Sequence, residues 1–321
     1  MALNFTGAGM GKIFILDGGM GRELLRRGAP FRQPEWSALA LMEAPEHVSA
    51  VHDDYIRAGA DMITTNSYAV VPFHIGDERF EREGAALVAL SGRLARESAD
   101  RAGRRVIVAG SLPPVLGSYR PDLFDRAEAK RLLAVLIGAL APFVDVWLAE
   151  TLSSIEEVET VREVLSELLP DDHRPLWVSF TLEDIRGAEA VLSGQADPVL
   201  RSGQSLRLAA QTVRDLGAEV MLFNCTQAEF MEPAIRIVRD ELAGHPLAGH
   251  IGAYANTFVP VPEGEDKVAA NGGLCHLRGD LEPGQYAEMV QDWIAAGATY
   301  AGGCCGIGPE HICALHDHHA H

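Results

Sequence analysis

Apolar positions along the chain fall into short, nearly continuous runs of Val, Ile and Leu. Each run is followed by small or polar residues and then by an amphipathic stretch of about 15 residues, a pattern that predicts repeated βα units. Strands are expected at Ile13–Leu16, Asp61–Thr65, Arg105–Ala109, Val144–Ala149, Leu176–Phe180, Glu219–Phe223, His250–Ala253 and Thr299–Gly302. Continuous rather than alternating apolar runs suit strands covered on both faces, as in a parallel sheet wrapped by helices. The intervening stretches carry helix signals. Ser153 with Glu156 reads as a capping box, and Gly28, Gly59, Gly103, Gly217 and Gly297 stand where helices should stop. Gly59-Ala60-Asp61, Gly217-Ala218-Glu219 and Gly297-Ala298-Thr299 are near-copies of one helix-to-strand joint.

Eight such units without a second compositional regime point to one α/β domain over residues 1–321, a (β/α)8 TIM barrel rather than an open doubly wound sheet. No GxGxxG follows a strand, which weighs against dinucleotide binding. Residues 312–321, ending in His-Asp-His-His-Ala-His, are expected to form a flexible, solvated tail. Two long connections, 111–125 and 257–283, are rich in Pro, Gly and charge, and the second is a candidate cover for a site.

Composition narrows the function. With 321 residues, 47% hydrophobic and 22% charged, the chain can bury a large core. Its net charge of −18 argues against nucleic acid or an anionic membrane as partner and favours cationic or zwitterionic small molecules. The most apolar stretch, Leu132–Ala149, is interrupted by Pro142 and Asp145, and Met1–Lys12 lacks an apolar core, so a cytoplasmic protein is expected. Five cysteines, two of them adjacent, do not form the framework of a small secreted domain. Reduced thiols and a metal site are the expectation, and oligomeric state is left open.

In a barrel of this kind the chemistry collects at the C-terminal ends of the strands. Those ends carry Asp17, Thr65-Asn66-Ser67-Tyr68, Ser111, Glu150-Thr151, Thr181, Asn224-Cys225-Thr226, Asn256 and Gly302-Gly303-Cys304-Cys305-Gly306. Cys225, Cys304 and Cys305 are therefore expected at the mouths of the sixth and eighth strands, where inward-directed side chains can converge on one point. Three thiolates suit Zn2+, and three protein ligands leave a fourth position for water or substrate. Cys275 and Cys313 are read as small buried residues.

Asp17-Gly18-Gly19-Met20-Gly21, Gly59-Ala60-Asp61 with Thr64-Thr65-Asn66-Ser67-Tyr68, Glu150-Thr151, Asn224-Cys225, and Gly302-Gly303-Cys304-Cys305-Gly306 followed by Pro309-Glu310-His311 together resemble the homocysteine S-methyltransferase family. The resemblance runs in order over almost the whole chain, and its terminal double-cysteine motif is the most specific part. It implies a zinc-dependent barrel that methylates the sulfur of homocysteine, with Cys225, Cys304 and Cys305 as ligands. It further implies that Asp17, the backbone of Gly18 and Gly19, and Glu150 receive homocysteine, and that Trp36 and Tyr68 approach the methyl donor; Thr65 and Asn224 are further candidates on the homocysteine side and Asn256 on the donor side. Asp17 also suits a turn, Glu150 an ion pair, Asn224 and Asn256 loop support, and Trp36 and Tyr68 packing.

Gly110-Ser111-Leu112-Pro113-Pro114 replaces a more Gly-rich family loop, and Phe223 stands where many members have a small residue. The chain ends soon after the eighth unit, so folate and cobalamin modules are not expected. S-methylmethionine is the expected donor. Alternatives are a betaine-type or other onium donor, another thiol or selenol acceptor, and a subunit of a corrinoid-dependent system.

Overall fold

In the computed structural model, which describes residues 13–261 and 276–319, eight parallel strands form a nearly closed barrel. They are β1 (Phe14–Ile15), β2 (Met62–Thr64), β3 (Ile107–Leu112), β4 (Val146–Leu152), β5 (Leu176–Phe180), β6 (Val220–Gln227), β7 (Ile251–Asn256) and β8 (Tyr300–Gly303). The principal outer helices are α1 (Pro45–Arg57), α2 (Ala85–Arg101), α3 (Arg126–Leu140), α4 (Ile155–Leu168), α5 (Leu206–Asp215), α6 (Met231–Glu241), α7 (Pro283–Ala296) and α8 (Pro309–His319). Ladder pairing runs from β1 through β8 and back down to β2.

Two aspartates complete the circle between β1 and β2. At the lower end Asp61 donates its N–H to the Ile15 carbonyl (2.7 Å) while its side chain accepts from the Ile15 N–H (3.0 Å). At the upper end the Asp17 carboxylate accepts from the Thr64 N–H (2.7 Å) and hydroxyl (3.1 Å). The sequence reading gave this first strand four residues; side-chain bonds take over where the ladder stops.

The barrel interior is packed rather than hollow. Leu16, Met62, Ile107, Val146, Leu148, Trp177, Val220 and Leu222 meet there, with Tyr254 and Tyr300 among them. A larger apolar layer lies between strands and helices. Gly28, Gly59, Gly103, Gly217 and Gly297, expected to end helices, all adopt left-handed φ.

Four expectations are corrected. The capping box lies one residue later, where the Glu157 carboxylate accepts from the N–H groups of Ser153 (2.6 Å) and Ser154 (2.8 Å) and so opens α4. The expected flexible tail over 312–321 is instead the body of α8 as far as His319, because Ile312 and Leu315 are buried against the barrel. Cys313 is exposed, not buried. Cys225 and Cys304, expected as reduced thiols, are joined in a disulfide. Cys275 and most of the expected covering loop lie in 262–275, outside the described residues. Among the described residues, no helix is long and apolar enough to cross a membrane.

Candidate metal and substrate site

Two strands carry the site because they break their own register. Pairing shifts between Ala149 and Leu152 on β4 and between Asn224 and Gln227 on β6. At the shifts Thr151 and Cys225 take left-handed φ values of 59° and 50°. A bulge frees backbone groups and re-aims side chains, and both effects are visible. The Thr151 N–H donates to Asn224 Oδ1 (3.0 Å), Ser179 donates to the same oxygen (2.7 Å), and Asn224 Nδ2 donates to the Thr151 hydroxyl (2.8 Å). Asn224 thus locks the two bulges together. The four non-glycine residues with left-handed φ among the described residues, Trp36, Tyr119, Thr151 and Cys225, all line one cavity at the strand ends. Backbone strain of this kind collects where a site over-determines the chain.

The sulfur atoms of Cys225, Cys304 and Cys305 lie within 4.8 Å of one another at that cavity. Cys225 and Cys304 are joined, with Cα atoms 5.6 Å apart, and the Cys305 thiol stands beside them. Reduction of that bond yields the three-thiolate set that suits zinc, in a spacing compatible with metal–sulfur bonds of about 2.3 Å. The double-cysteine turn is clamped from below: a Cβ on Gly19 would stand 2.5 Å from the Cys304 carbonyl oxygen and 3.1 Å from the Cys305 Cα. The Gly19 N–H donates to the Ile307 carbonyl (2.9 Å), and Tyr55 donates to the carbonyls of Gly19 (3.1 Å) and Ile307 (3.0 Å).

Asp17 and Glu150 form the polar wall. Loss of hydration raises the Asp17 carboxyl from 3.8 to about 7; the Thr64 bonds pull it down and nearby Glu150 pushes it up. Glu150 is also raised by burial, against hydrogen bonds from Ser111 and Tyr254. Two buried carboxyls without a cationic side chain among these contacts make a place where an ammonium group is welcome.

The cavity measures about 1410 Å³, above the roughly 300–1,000 Å³ usual for one small ligand, so two small substrates fit together. Asp17, Gly18, Gly19, Trp36, Thr65, Tyr68, Glu150, Asn256 and the three cysteines all line it. Asn224 does not; its amide is spent within the fold. The Gly19 N–H, expected to receive a carboxylate, is likewise engaged by Ile307. Thr65 accepts from the Ser111 N–H (3.0 Å), Asn256 accepts from the Phe258 N–H (3.1 Å), and the Tyr68 phenol shares a hydrogen bond with Ser118 (2.8 Å). Sequence reasoning missed Tyr254, Tyr119, Glu183, Asp184 and Arg201. Tyr254 was findable, since it shares a strand face with Asn256 two positions on; the others sit on loops without a period.

Residues 14–319 match the family model described as homocysteine S-methyltransferase. The homocysteine S-methyltransferase of Escherichia coli K12 is 31% identical over 94% of each chain. Among solved structures, the metallated form of the E. coli homocysteine methyltransferase MmuM superposes with a TM-score of 0.73 at 27% identity, covering 96% of both chains. Its oxidized form gives 0.72 at 27% identity, covering 95% of this chain and 96% of that one.

Proposed function

The chain belongs to the homocysteine S-methyltransferase family, and from that premise we propose that it moves a methyl group from S-methylmethionine to the sulfur of L-homocysteine, with zinc held by Cys225, Cys304 and Cys305. The observation that carries this reading is the opening of three clustered sulfurs and two buried carboxyls into one cavity large enough for two amino acids. When bound, zinc supplies a Lewis-acid position that lets the homocysteine thiol give up its proton at neutral pH.

The protein's own groups do the rest. Asp17 and Glu150 receive the homocysteine ammonium, a cation whose charge favours the carboxylate form of each. Ser111 and Tyr254 hold Glu150 in place through its two oxygens. The Tyr68 and Trp36 rings line the donor side, where an onium methyl group is attracted to an aromatic face. The homocysteine sulfur gives a lone pair to the methyl carbon while the sulfonium carbon–sulfur bond breaks towards the departing sulfur. Two methionines result and one proton is released. With no general base needed for this displacement, alignment of the two sulfurs and exclusion of water carry the remaining rate.

The test is methionine formation by reduced, zinc-loaded protein from homocysteine and S-methylmethionine, beside a chelated control and Cys225→Ala. Chelator-sensitive turnover is expected, with zinc and activity lost together in the variant. If zinc is bound and S-methylmethionine gives no methionine, the donor assignment fails, and the same assay with betaine, S-adenosylmethionine or selenol acceptors finds its replacement.

A further inference from the structure

The loop between β5 and α5 brings a second charged cluster to the cavity, away from Asp17 and Glu150. It folds back as two short antiparallel contacts, Leu182 with Leu200 and Val199 with Ser205. Leu182 and Leu200 are buried beneath it. The Arg201 N–H donates to the Thr181 carbonyl (3.1 Å) and the Ser202 N–H to the Ser153 carbonyl (3.0 Å), so this arginine is pinned onto the ends of β4 and β5. Its side chain is only 12% exposed and lines the cavity.

The charges around it are unevenly satisfied. Glu183 is saturated, accepting from the Ile185 and Arg186 N–H groups and from the Arg186 side chain. Asp184 accepts from Arg201 (2.8 Å) and from the Gln227 N–H (3.1 Å), which leaves capacity on its two oxygens. Arg201 reaches Glu183 only at 3.5 Å, and among the described residues its Nε–H has no acceptor. A guanidinium that lines the cavity beside a carboxylate with room to accept is complementary to a zwitterion.

Tyr119 links this pair to the rest of the cavity wall. Arg201 lies over that ring at 5.2 Å, and the Tyr119 phenol is within electrostatic range of Tyr68, Cys305 and Asp184. Cys305, Tyr68, Tyr119, Asp184 and Arg201 all line the same cavity, so the Arg201–Asp184 pair and the sulfurs face one shared space.

We propose that Arg201 and Asp184 form the head-group subsite of the methyl donor, Arg201 taking the α-carboxylate and Asp184 the α-ammonium of an amino-acid sulfonium. This rests on the reading of the site given above and names the feature by which the donor is chosen. The onium end points towards the sulfurs along the aromatic wall. A betaine has the carboxylate but no N–H for Asp184, and its onium centre lies too close to its carboxylate to use both ends of this track.

The test crosses one variant with one donor change. S-methylmethionine and its carboxamide are compared in wild type and Arg201→Gln, by KM in turnover and by calorimetric binding to reduced, chelated protein. Wild type is expected to prefer the carboxylate donor by roughly 10- to 100-fold, the range for losing a hydrogen bond to a charged group, and the variant to lose most of that preference. The KM for homocysteine should stay within about twofold. If the variant keeps the preference, or weakens both donors equally, the subsite assignment is overturned while the turnover result stands. If wild type binds S-methylmethionine through Arg201 without turning it over, the donor reading fails and the subsite remains. No binding of S-methylmethionine to wild type overturns both. Should Arg201→Gln fail to fold by circular dichroism, Arg201→Lys keeps the charge without the fork and is expected to lose several-fold of the preference.

Discussion

Replacing Asp17 by Asn separates what this residue costs the fold from what it gives the substrate. Its carboxyl is buried and raised from 3.8 to about 7, chiefly by loss of hydration. Because the folded value lies above the unfolded one, the stability carried by the neutral group is complete below about pH 4 and is lost as pH rises through 7. Above that, the native state holds an ionised buried carboxylate at a cost of about 4 kcal/mol, from three pKa units at 1.36 kcal/mol each. An asparagine has no such titration. It can still accept from the Thr64 N–H and donate to the Thr64 hydroxyl, so the join between β1 and β2 is kept. In ligand-free protein, the unfolding free energies of Asp17→Asn and wild type should therefore diverge by about 2–3 kcal/mol between pH 5 and pH 8, the variant gaining. That corresponds to a relative Tm shift of roughly 4 °C for a chain of this length. Denaturant titrations at the two pH values read the change directly. Parallel behaviour of the two proteins would refute the reasoning, because a group that stays ionised in both states, or neutral in both, gives no divergence. The functional arm has the opposite sign: the KM for homocysteine should rise at least tenfold in the variant, and methionine, a ligand without a thiol, should bind wild type more weakly at pH 6 than at pH 8.

Gly19→Ala tests the clamp under the double-cysteine turn. Its Cβ would meet the Cys304 carbonyl at 2.5 Å, so the variant should retain less than half the wild-type zinc after chelator competition although every ligand is present. Asn224→Ala strands the Thr151 N–H and the Ser179 hydroxyl beneath the site. It should cost about 2–3 kcal/mol by denaturant titration and lower turnover through a displaced Glu150; an unchanged midpoint would remove its bulge-locking role.

Apolar periodicity carried the fold, because strands buried on both faces announce themselves as continuous runs, and all eight expected strands are present. What periodicity could not show was where strands end when they end in polar residues. β4 continues to Leu152 and β6 to Gln227, beyond the expected Ala149 and Phe223, because their last residues form bulges and point polar groups into a site. The same residues read as loop in one dimension and as strand once Asn224 ties them across the barrel. Opposite errors have the same cause at β1, where the apolar run Ile13–Leu16 exceeds the paired residues because Asp17 and Asp61 supply the bonds that a ladder would have made.

The cysteines were legible because two adjacent thiols among glycines have few structural uses, whereas Arg201 was not, since a single arginine on a long connection looks like solvated charge. Only the fold reveals that this connection returns to β4 and β5, places the guanidinium over Tyr119, and brings it to the cavity wall beside Asp184. This division follows from the chemistry. A reactive sulfur needs a rare residue type, which composition can flag. Choosing between small onium donors needs only common charges in a particular place, and place is a property of the folded chain. Changes in donor preference within this architecture should therefore concentrate on the β5–α5 loop and leave the three cysteines untouched.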